Sequence, residues 1–207
     1  TVASIFVNPL QFSATEDLSR YPRDEAGDLA ALEACGCDLA WLPDVETMYP
    51  PDAVTTISLE GPALRWEGDA RPGHFRGVAT VCAKLFGQVR PDRAFFGEKD
   101  WQQLQVIRRM VADLLLPLEI VSVETVREPD GLALSSRNRF LTPAERALAP
   151  RLAETLRATA AALTDGRLTE PVLAEPVLAE ARARLAGFGF VVDYFALVDG
   201  PTLSPIE

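Results

Sequence analysis

The sequence predicts an α/β protein, and three observations predict it. Apolar runs of strand length stand at 2–7, 37–42, 89–96 and 118–123, each closed by polar or turn-forming residues. Between them lie stretches with apolar residues at helical spacing, at 25–35, after 77 and at 102–115. The passage Phe95-Phe96-Gly97-Glu98-Lys99-Asp100-Trp101-Gln102-Gln103 compresses the alternation into one place. An apolar run ends at a glycine, three charged residues follow, and the repeat Leu104, Ile107, Met110, Val111, Leu114 begins at once. Strands alternating with helices build a parallel sheet, and ligands then gather at the carboxyl ends of its strands.

A chain of 207 residues suits one sizeable core, or a large domain with a small one. Thirty acidic residues against twenty basic ones leave a net charge of -10, which disfavours a general role on nucleic acid or on an anionic membrane. Any bound phosphate must therefore be held by a local cluster. No apolar run is long enough to span a bilayer and no basic-then-apolar leader stands at the start, so a cytoplasmic protein is expected. The three cysteines are odd in number, and Cys35-Gly36-Cys37 lacks the two-residue spacer of redox and zinc motifs, so they are expected to be small buried apolar residues. His74 is the only histidine, which rules out a multi-histidine metal site within this chain.

In chain order, Val2 to Val7 is a buried strand that stops at Asn8-Pro9-Leu10-Gln11-Phe12. Asn8 and Gln11 thus sit on a loop, where their amides suit a hydroxy acid or simply stabilise the turn. A helix from about Glu25 to Cys35 puts Leu29 and Leu32 on one face and Asp28 on the polar side. A second strand, Cys37 to Leu42, completes a βαβ unit. From Met48 to Gly73 periodicity fails, with only a strand-like fragment at Thr55 to Leu59, and a long excursion that folds over a site is expected. His74 and Arg76 stand just before a helix carrying Val78, Val81, Cys82, Leu85 and Phe86, placed either to reach an anion or to serve structure.

Lys99, at a strand end and a helix start, is placed to meet a phosphate, and Asp100 to cap the helix or touch a metal, although solvated loop charges read the same way. After the strand Leu118 to Val123 comes Leu134-Ser135-Ser136-Arg137, two hydroxyls and a guanidinium that all donate to phosphate oxygens. Thr142-Pro143-Ala144-Glu145 is a capping box, so a domain boundary is placed there, between 1–141 and 142–207. The next helix carries Leu148, Leu152, Leu156 and Ala160. The pentapeptide at 171–175 recurs at 176–180, a helix covers about 177–186, and Phe190 to Val198 reads as a strand in need of a partner. A strand that opens at Thr1 without lead-in, and another left unpaired at the far end, lead us to expect shortening at both termini.

Four separated motifs now stand in one order: Phe6-Val7-Asn8-Pro9-Leu10-Gln11-Phe12, His74-Phe75-Arg76-Gly77-Val78, Gly97-Glu98-Lys99-Asp100-Trp101-Gln102-Gln103, and Gly131-Leu132-Ala133-Leu134-Ser135-Ser136-Arg137-Asn138. Together they closely resemble the pantoate-β-alanine ligase family of the nucleotidyltransferase superfamily, over nearly the whole chain up to about Val198. The resemblance implies a Rossmann-like parallel sheet with helices on both faces, joined to a small α+β C-terminal domain. It implies ATP and Mg²⁺ as reagents, pantoate and β-alanine as substrates, and a homodimer. In that family pantoate attacks the α-phosphorus of ATP, pyrophosphate leaves, and the amine of β-alanine displaces AMP from the pantoyl-adenylate.

Carried over by position, Gln11 and Gln103, with Asn8 beside them, match the pantoate-holding amides. Gly97, Glu98, Lys99, Asp100, Val126, Leu134, Ser135, Ser136 and Arg137 match the ATP site, with Lys99, Ser136 and Arg137 nearest the chemistry. Asp28 matches an acidic position that resembles a magnesium contact. One departure stands out. The family carries two histidines separated by two residues after its first strand, whereas this chain has only His74 in another motif. That strand and motif are therefore expected upstream of Thr1, and the 207 residues alone are expected to be poorly active. The rival readings are a related nucleotidyltransferase acting on another acid, and a catalytically dead nucleotide-binding module.

Overall fold

The computed structural model describes residues 1–12, 18–164 and 174–206. Its elements run β1 (Val2–Ser4), α1 (Glu25–Ala34), β2 (Leu39–Trp41), α2 (Val45–Met48), α3 (Glu67–Ala70), α4 (His74–Val89), β3 (Arg93–Gly97), α5 (Trp101–Asp113), β4 (Glu119–Val123), α6 (Pro143–Leu148), α7 (Pro150–Thr164) and α8 (Ala174–Gly187). Single 3₁₀ turns stand at Pro9–Gln11, Gly61–Ala63, Glu98–Asp100 and Ser136–Phe140. Internal contacts divide the chain into two compact units, Thr1–Phe96 with Asp100–Ser122, and Gly97–Lys99 with Val123–Glu207. The helix start at Thr142 lies inside the second of these.

In the first unit β1 and β2 pair in parallel, Val2 with Leu39, Ala3 with Ala40 and Ser4 with Trp41, and α1 is the crossover of this βαβ unit. Asp24 starts α1 by accepting the Gly27 N–H at 3.1 Å. β3 pairs with β4 in a second sheet. The expected sheet is thus present as two pairs among the described residues, because β1 and β3 share a cleft instead of a hydrogen-bond ladder. All four described strands are shorter than their apolar runs.

The core of this unit is made by α4 and α5. Val78, Ala79, Val81 and Cys82 recur on one face of α4, Val106, Ile107, Met110 and Val111 on one face of α5, and Met48 and Phe75 fill in beside them. Burying a side chain such as Ile107 or Met110 contributes about 1.5–3 kcal/mol, so this helix pair dominates the unit's stability. α4 begins at His74 and ends at Val89, so His74 and Arg76 are in its first turn rather than ahead of it, and Val89 is helical rather than part of the next strand. Gly73, with φ of 84°, supplies the left-handed residue that turns the chain into α4. The fragment Thr55 to Leu59 is not a strand. The Ile57 N–H donates to Thr80 Oγ1 at 3.0 Å, leaving no ladder for it to join.

The cysteine expectation holds only for Cys82, which is buried, its thiol pushed up to about 12 by that burial. Cys35 is exposed and Cys37 half-buried, because they follow a helix none of whose residues is buried.

In the second unit the Thr142 capping box forms as the sequence predicts, with Glu145 Oε2 accepting the Thr142 N–H at 2.7 Å and Thr142 Oγ1 accepting the Glu145 N–H at 3.3 Å. The single helix expected after it is two, α6 and α7, split where Pro150 removes a donor from the ladder. α7 packs on α8. Its buried residues are Pro150, Ala153, Thr155 and Thr159, while Leu148, Leu152 and Leu156 stay exposed. α8 buries Leu178, Ala181 and Leu185. The strand expected at Phe190 to Val198 is absent. Phe190, Val192, Phe195 and Leu197 pack onto the α8 cluster, and only an isolated bridge joins Val198 to Pro205. Among the described residues no strand lies beside this run, and its apolar side chains are covered by α8 instead. The first copy of the repeated pentapeptide begins outside the described residues, and Pro176 of the second lies within α8.

Candidate active site

The loop after β1 is built by Asn8. Its Oδ1 accepts the Leu10 N–H at 3.2 Å, which caps the turn Pro9–Gln11, and its Nδ2 donates to the Gly77 carbonyl at 3.1 Å and to Gln11 Oε1 at 2.9 Å. Asn8 is 3% exposed, and its bond to the Gly77 carbonyl is made away from bulk water. The backbone carbonyl of Gln11 is gripped as well, by Arg71 Nη2 at 2.9 Å and by His74 Nδ1 at 3.0 Å. His74 and Arg71 therefore hold the loop after β1, the structural one of the two roles the sequence allowed His74. α4 comes this close to the loop only because position 77 has no side chain: a Cβ there would lie 2.3 Å from the Leu10 carbonyl oxygen.

Asn8, Gln11 and Gln103 line one cleft of about 500 Å³, together with β1, β3 and the apolar residues Val78, Val81, Cys82, Leu85 and Phe86 of α4. Amides from two distant segments thus line one pocket together with apolar side chains, a mixture usual in small-molecule sites. Gln103 is in the first turn of α5. Its neighbour Gln102, a position about 100° round the helix, does different work. Gln102 Nε2 lies 3.0, 3.3 and 3.1 Å from the carbonyls of Pro62, Leu64 and Arg65, and its Oε1 accepts the Glu67 N–H at 3.1 Å. That clasp holds Arg65 and Trp66, which both take left-handed backbone at φ of 63° and 50°. Neither is glycine, so the conformation is costly and persists because the clasp over-determines it.

The phosphate-type residues take these places. Gly97 ends β3, and Glu98, Lys99 and Asp100 form the 3₁₀ turn ahead of α5. Asp100 occupies the cap position of α5, but its side chain makes no capping bond, contrary to one of the two roles the sequence allowed it. Gly97–Lys99 belong to the same compact unit as Val126 and Leu134 to Arg137. There the chain doubles back. The Leu134 N–H donates to the Val126 carbonyl at 3.0 Å and the Glu128 N–H to the Leu132 carbonyl at 2.8 Å, around Gly131 at φ of 93°. Val126 and Leu134 are both exposed apolar residues on adjoining limbs of this loop. Ser135 then starts the next turn, its Oγ accepting the Arg137 N–H at 3.2 Å, so Ser136 and Arg137 open a short helical turn.

Arg146 of α6 fastens this loop, its guanidinium donating to Asp130 Oδ2 and Glu128 Oε2, each at 2.6 Å. The guanidinium bond holds the Asp130 carboxyl below its ordinary range, helped by the Leu132 N–H, and Asp130 and Glu128 raise Arg146. Asp28 is exposed in the first turn of α1, and among the described residues no group of three or more His, Cys, Asp or Glu side chains is placed to hold a metal. The residues that sequence reasoning missed are Tyr49, Arg71 and Gln102. Only Gln102 had a signal, because adjacent glutamines on a helix cannot face the same surroundings.

The family model for pantoate-β-alanine ligase matches residues 1–207. Pantothenate synthetase of Granulibacter bethesdensis is 63% identical over 205 residues, covering 99% of this chain and 70% of the relative. That of Acidiphilium cryptum is 60% identical over 204 residues, covering 99% and 72%. Among solved structures, a pantothenate synthetase from Thermus thermophilus superposes with a TM-score of 0.90 at 51% identity, covering 99% of this chain and 73% of that one. A pantoate-β-alanine ligase from Francisella tularensis, complexed with β,γ-ATP and β-alanine, matches with a TM-score of 0.78 at 31% identity, covering 96% and 71%.

Proposed function

Since the chain belongs to the pantoate-β-alanine ligase family, we propose that its residues carry out the ATP-dependent condensation of pantoate with β-alanine through a pantoyl-adenylate, releasing pyrophosphate and AMP. The observation that carries the substrate assignment is that Gln11 and Gln103 line one cleft with Asn8 and the apolar side chains of α4. Pantoate offers hydroxyl and carboxylate oxygens on a branched hydrocarbon, which calls for amides in an otherwise apolar pocket. The Francisella relative's complex with an ATP form and β-alanine supports the other two reagents.

The first step brings a carboxylate to a triphosphate, two anions that repel. Donors are needed that strengthen as charge moves onto the departing pyrophosphate. Lys99 supplies an ammonium and Arg137 a guanidinium, while Ser135 and Ser136 supply hydroxyl donors at the start of a short turn. Gly97, Glu98 and Asp100 shape the turn around Lys99, and Val126 and Leu134 offer exposed apolar surface of the kind a purine covers. No side-chain nucleophile is required, because the acid itself attacks. The protein orients the reagents and keeps water from the mixed anhydride until the amine arrives.

Magnesium fits this reading as an ion carried on the phosphates. Mg²⁺ keeps several waters and takes one or two carboxylates alongside phosphate oxygens, and Asp28, exposed in the first turn of α1, is a carboxylate of the kind it would take. It would neutralise phosphate charge. A homodimer working in the cytoplasm completes the reading. No described helix is long and apolar enough to cross a membrane, and light scattering tests the dimer.

The decisive experiment incubates the full-length protein with ATP and pantoate and follows exchange of labelled pyrophosphate into ATP, then adds β-alanine and detects pantothenate and AMP. Exchange that depends on pantoate is the expected result. Exchange with another acid instead, or none with any, overturns the proposal.

A further inference from the structure

Tyr49 is not among the residues with an expected role, yet its hydroxyl donates to Asn8 Oδ1 at 2.8 Å. The amide orientations around it follow by elimination. The Leu10 N–H only donates, so the Asn8 atom it meets is the oxygen, and the Gly77 carbonyl only accepts, so the Asn8 atom it meets is the nitrogen. Asn8 Nδ2 is thereby a donor, and the Gln11 atom it faces at 2.9 Å must be Oε1. Gln11 is left with Nε2, two N–H donors and no acceptor, as the end turned away from Asn8.

We propose that Tyr49 is a positioning residue for the hydroxy acid, acting through Asn8 so that Gln11 presents its amide nitrogen to an oxygen of the substrate. This rests on the reading of Gln11 as a pantoate ligand. Tyr49 is well placed for the task. Its ring packs on Phe6 at 6.2 Å between centroids and lies 5.4 Å from Lys84 Nζ, and the chain at Tyr49 closes α2 through its N–H to the Val45 carbonyl at 2.7 Å. Burial pushes its phenol up to about 12, so the hydroxyl stays protonated and able to donate at any working pH. With the hydroxyl gone, the Leu10 N–H and the Gly77 carbonyl still set which end of the Asn8 amide is oxygen, but Oδ1 keeps only the longer Leu10 bond, so the Asn8 amide and the Gln11 amide that rests on it are held less tightly in place. A loosened Gln11 presents its Nε2 less squarely to the substrate oxygen, and the hydrogen bond to it weakens.

The test is a double-mutant cycle in the full-length protein with Tyr49→Phe, Gln11→Ala and the pair, reading KM and kcat for pantoate, KM for ATP, and the melting temperature. Tyr49→Phe keeps the ring contacts, so a fold close to the parent is expected. In the parent background it should raise KM for pantoate ~3–10-fold, the worth of one hydrogen bond, with kcat within about twofold by the same reckoning and KM for ATP unchanged. In the Gln11→Ala background it should change none of these. No rise in KM, or the same rise in both backgrounds, overturns the positioning role. If Gln11→Ala itself leaves KM for pantoate unaltered, the assignment of Gln11 as a ligand fails and the inference goes with it. Should Gln11→Ala prove unstable, Gln11→Glu, which keeps the size of the side chain but replaces the amide nitrogen with an oxygen, takes its place in the cycle with the same expected outcomes.

Discussion

The Cα of Gly77 stands against the carbonyl of Leu10, so near that a methyl group there would sit 2.3 Å from the oxygen and 2.6 Å from the carbonyl carbon. This one approach joins the long core helix to the loop that carries Asn8 and Gln11, and it lets Asn8 reach the Gly77 carbonyl. Gly77→Ala should therefore cost about 1–3 kcal/mol, as overpacking does, and raise KM for pantoate in whatever protein still folds. Chemical denaturation together with pantoate kinetics checks both.

Lys99→Ala should lower pantoate-dependent pyrophosphate exchange by ~10²–10³-fold, the range for deleting one donor aimed at developing charge. Lys99 lies in a 3₁₀ turn with no buried residue, so the circular dichroism spectrum should match that of the parent. An ordinary exchange rate would remove Lys99 from the chemistry.

Gln103→Ala should act on the acid alone. Its amide lines the cleft shared with Asn8 and Gln11, and losing a hydrogen bond worth about 1.4 kcal/mol would raise KM for pantoate about tenfold. KM for β-alanine should not move. Steady-state kinetics with each substrate varied in turn separates the two.

Gln102→Ala should act one residue away and quite differently. The clasp on Pro62, Leu64, Arg65 and Glu67 is lost, and with it the restraint on the left-handed pair Arg65 and Trp66. Hydrogen exchange at residues 62–67 should speed up while the amides of α4 and α5 stay protected, since local opening draws on the least anchored segments. Unchanged protection at Glu67 would show that the clasp is dispensable.

The clamp of Arg146 on Asp130 and Glu128 carries a pH signature. Asp130 is held below its unfolded value by the guanidinium, so its contribution is fully present above about pH 4, the ordinary carboxylate pKa, and fades as pH falls through the lowered folded value. Thermal melts of the parent and of Arg146→Met should differ near neutrality and converge in acid, with the parent falling towards the variant. A difference that stays constant down to about pH 3, below the ordinary carboxylate pKa, would assign the effect to packing.

Helices such as α5 were readable from the sequence because Leu104, Ile107, Met110 and Val111 repeat at the period that buries one face, and Thr142 with Glu145 because a capping box is a local bond. The strand expected at Phe190 to Val198 failed for the opposite reason. An apolar run states that it will be buried, not whether a sheet or a helix will bury it, and here α8 does. Leu148, Leu152 and Leu156 repeat at helical spacing too, yet α7 turns Ala153, Thr155 and Thr159 inward instead.

From residue order alone came the alternation of strand and helix, the family resemblance, and the identity of Asn8, Gln11, Gln103, Lys99 and the Leu134 to Arg137 passage as polar groups at the ends of elements. These follow from periodicity and from chemistry carried by near neighbours. Tertiary structure alone decided that Tyr49 bonds Asn8, that Arg71 and His74 grip the Gln11 carbonyl, that Gln102 clasps a loop, and that Gly77 admits Leu10. Each of those depends on groups brought close together by the packing of distant segments, within about 3 Å where hydrogen bonds form, and no local pattern encodes such a distance.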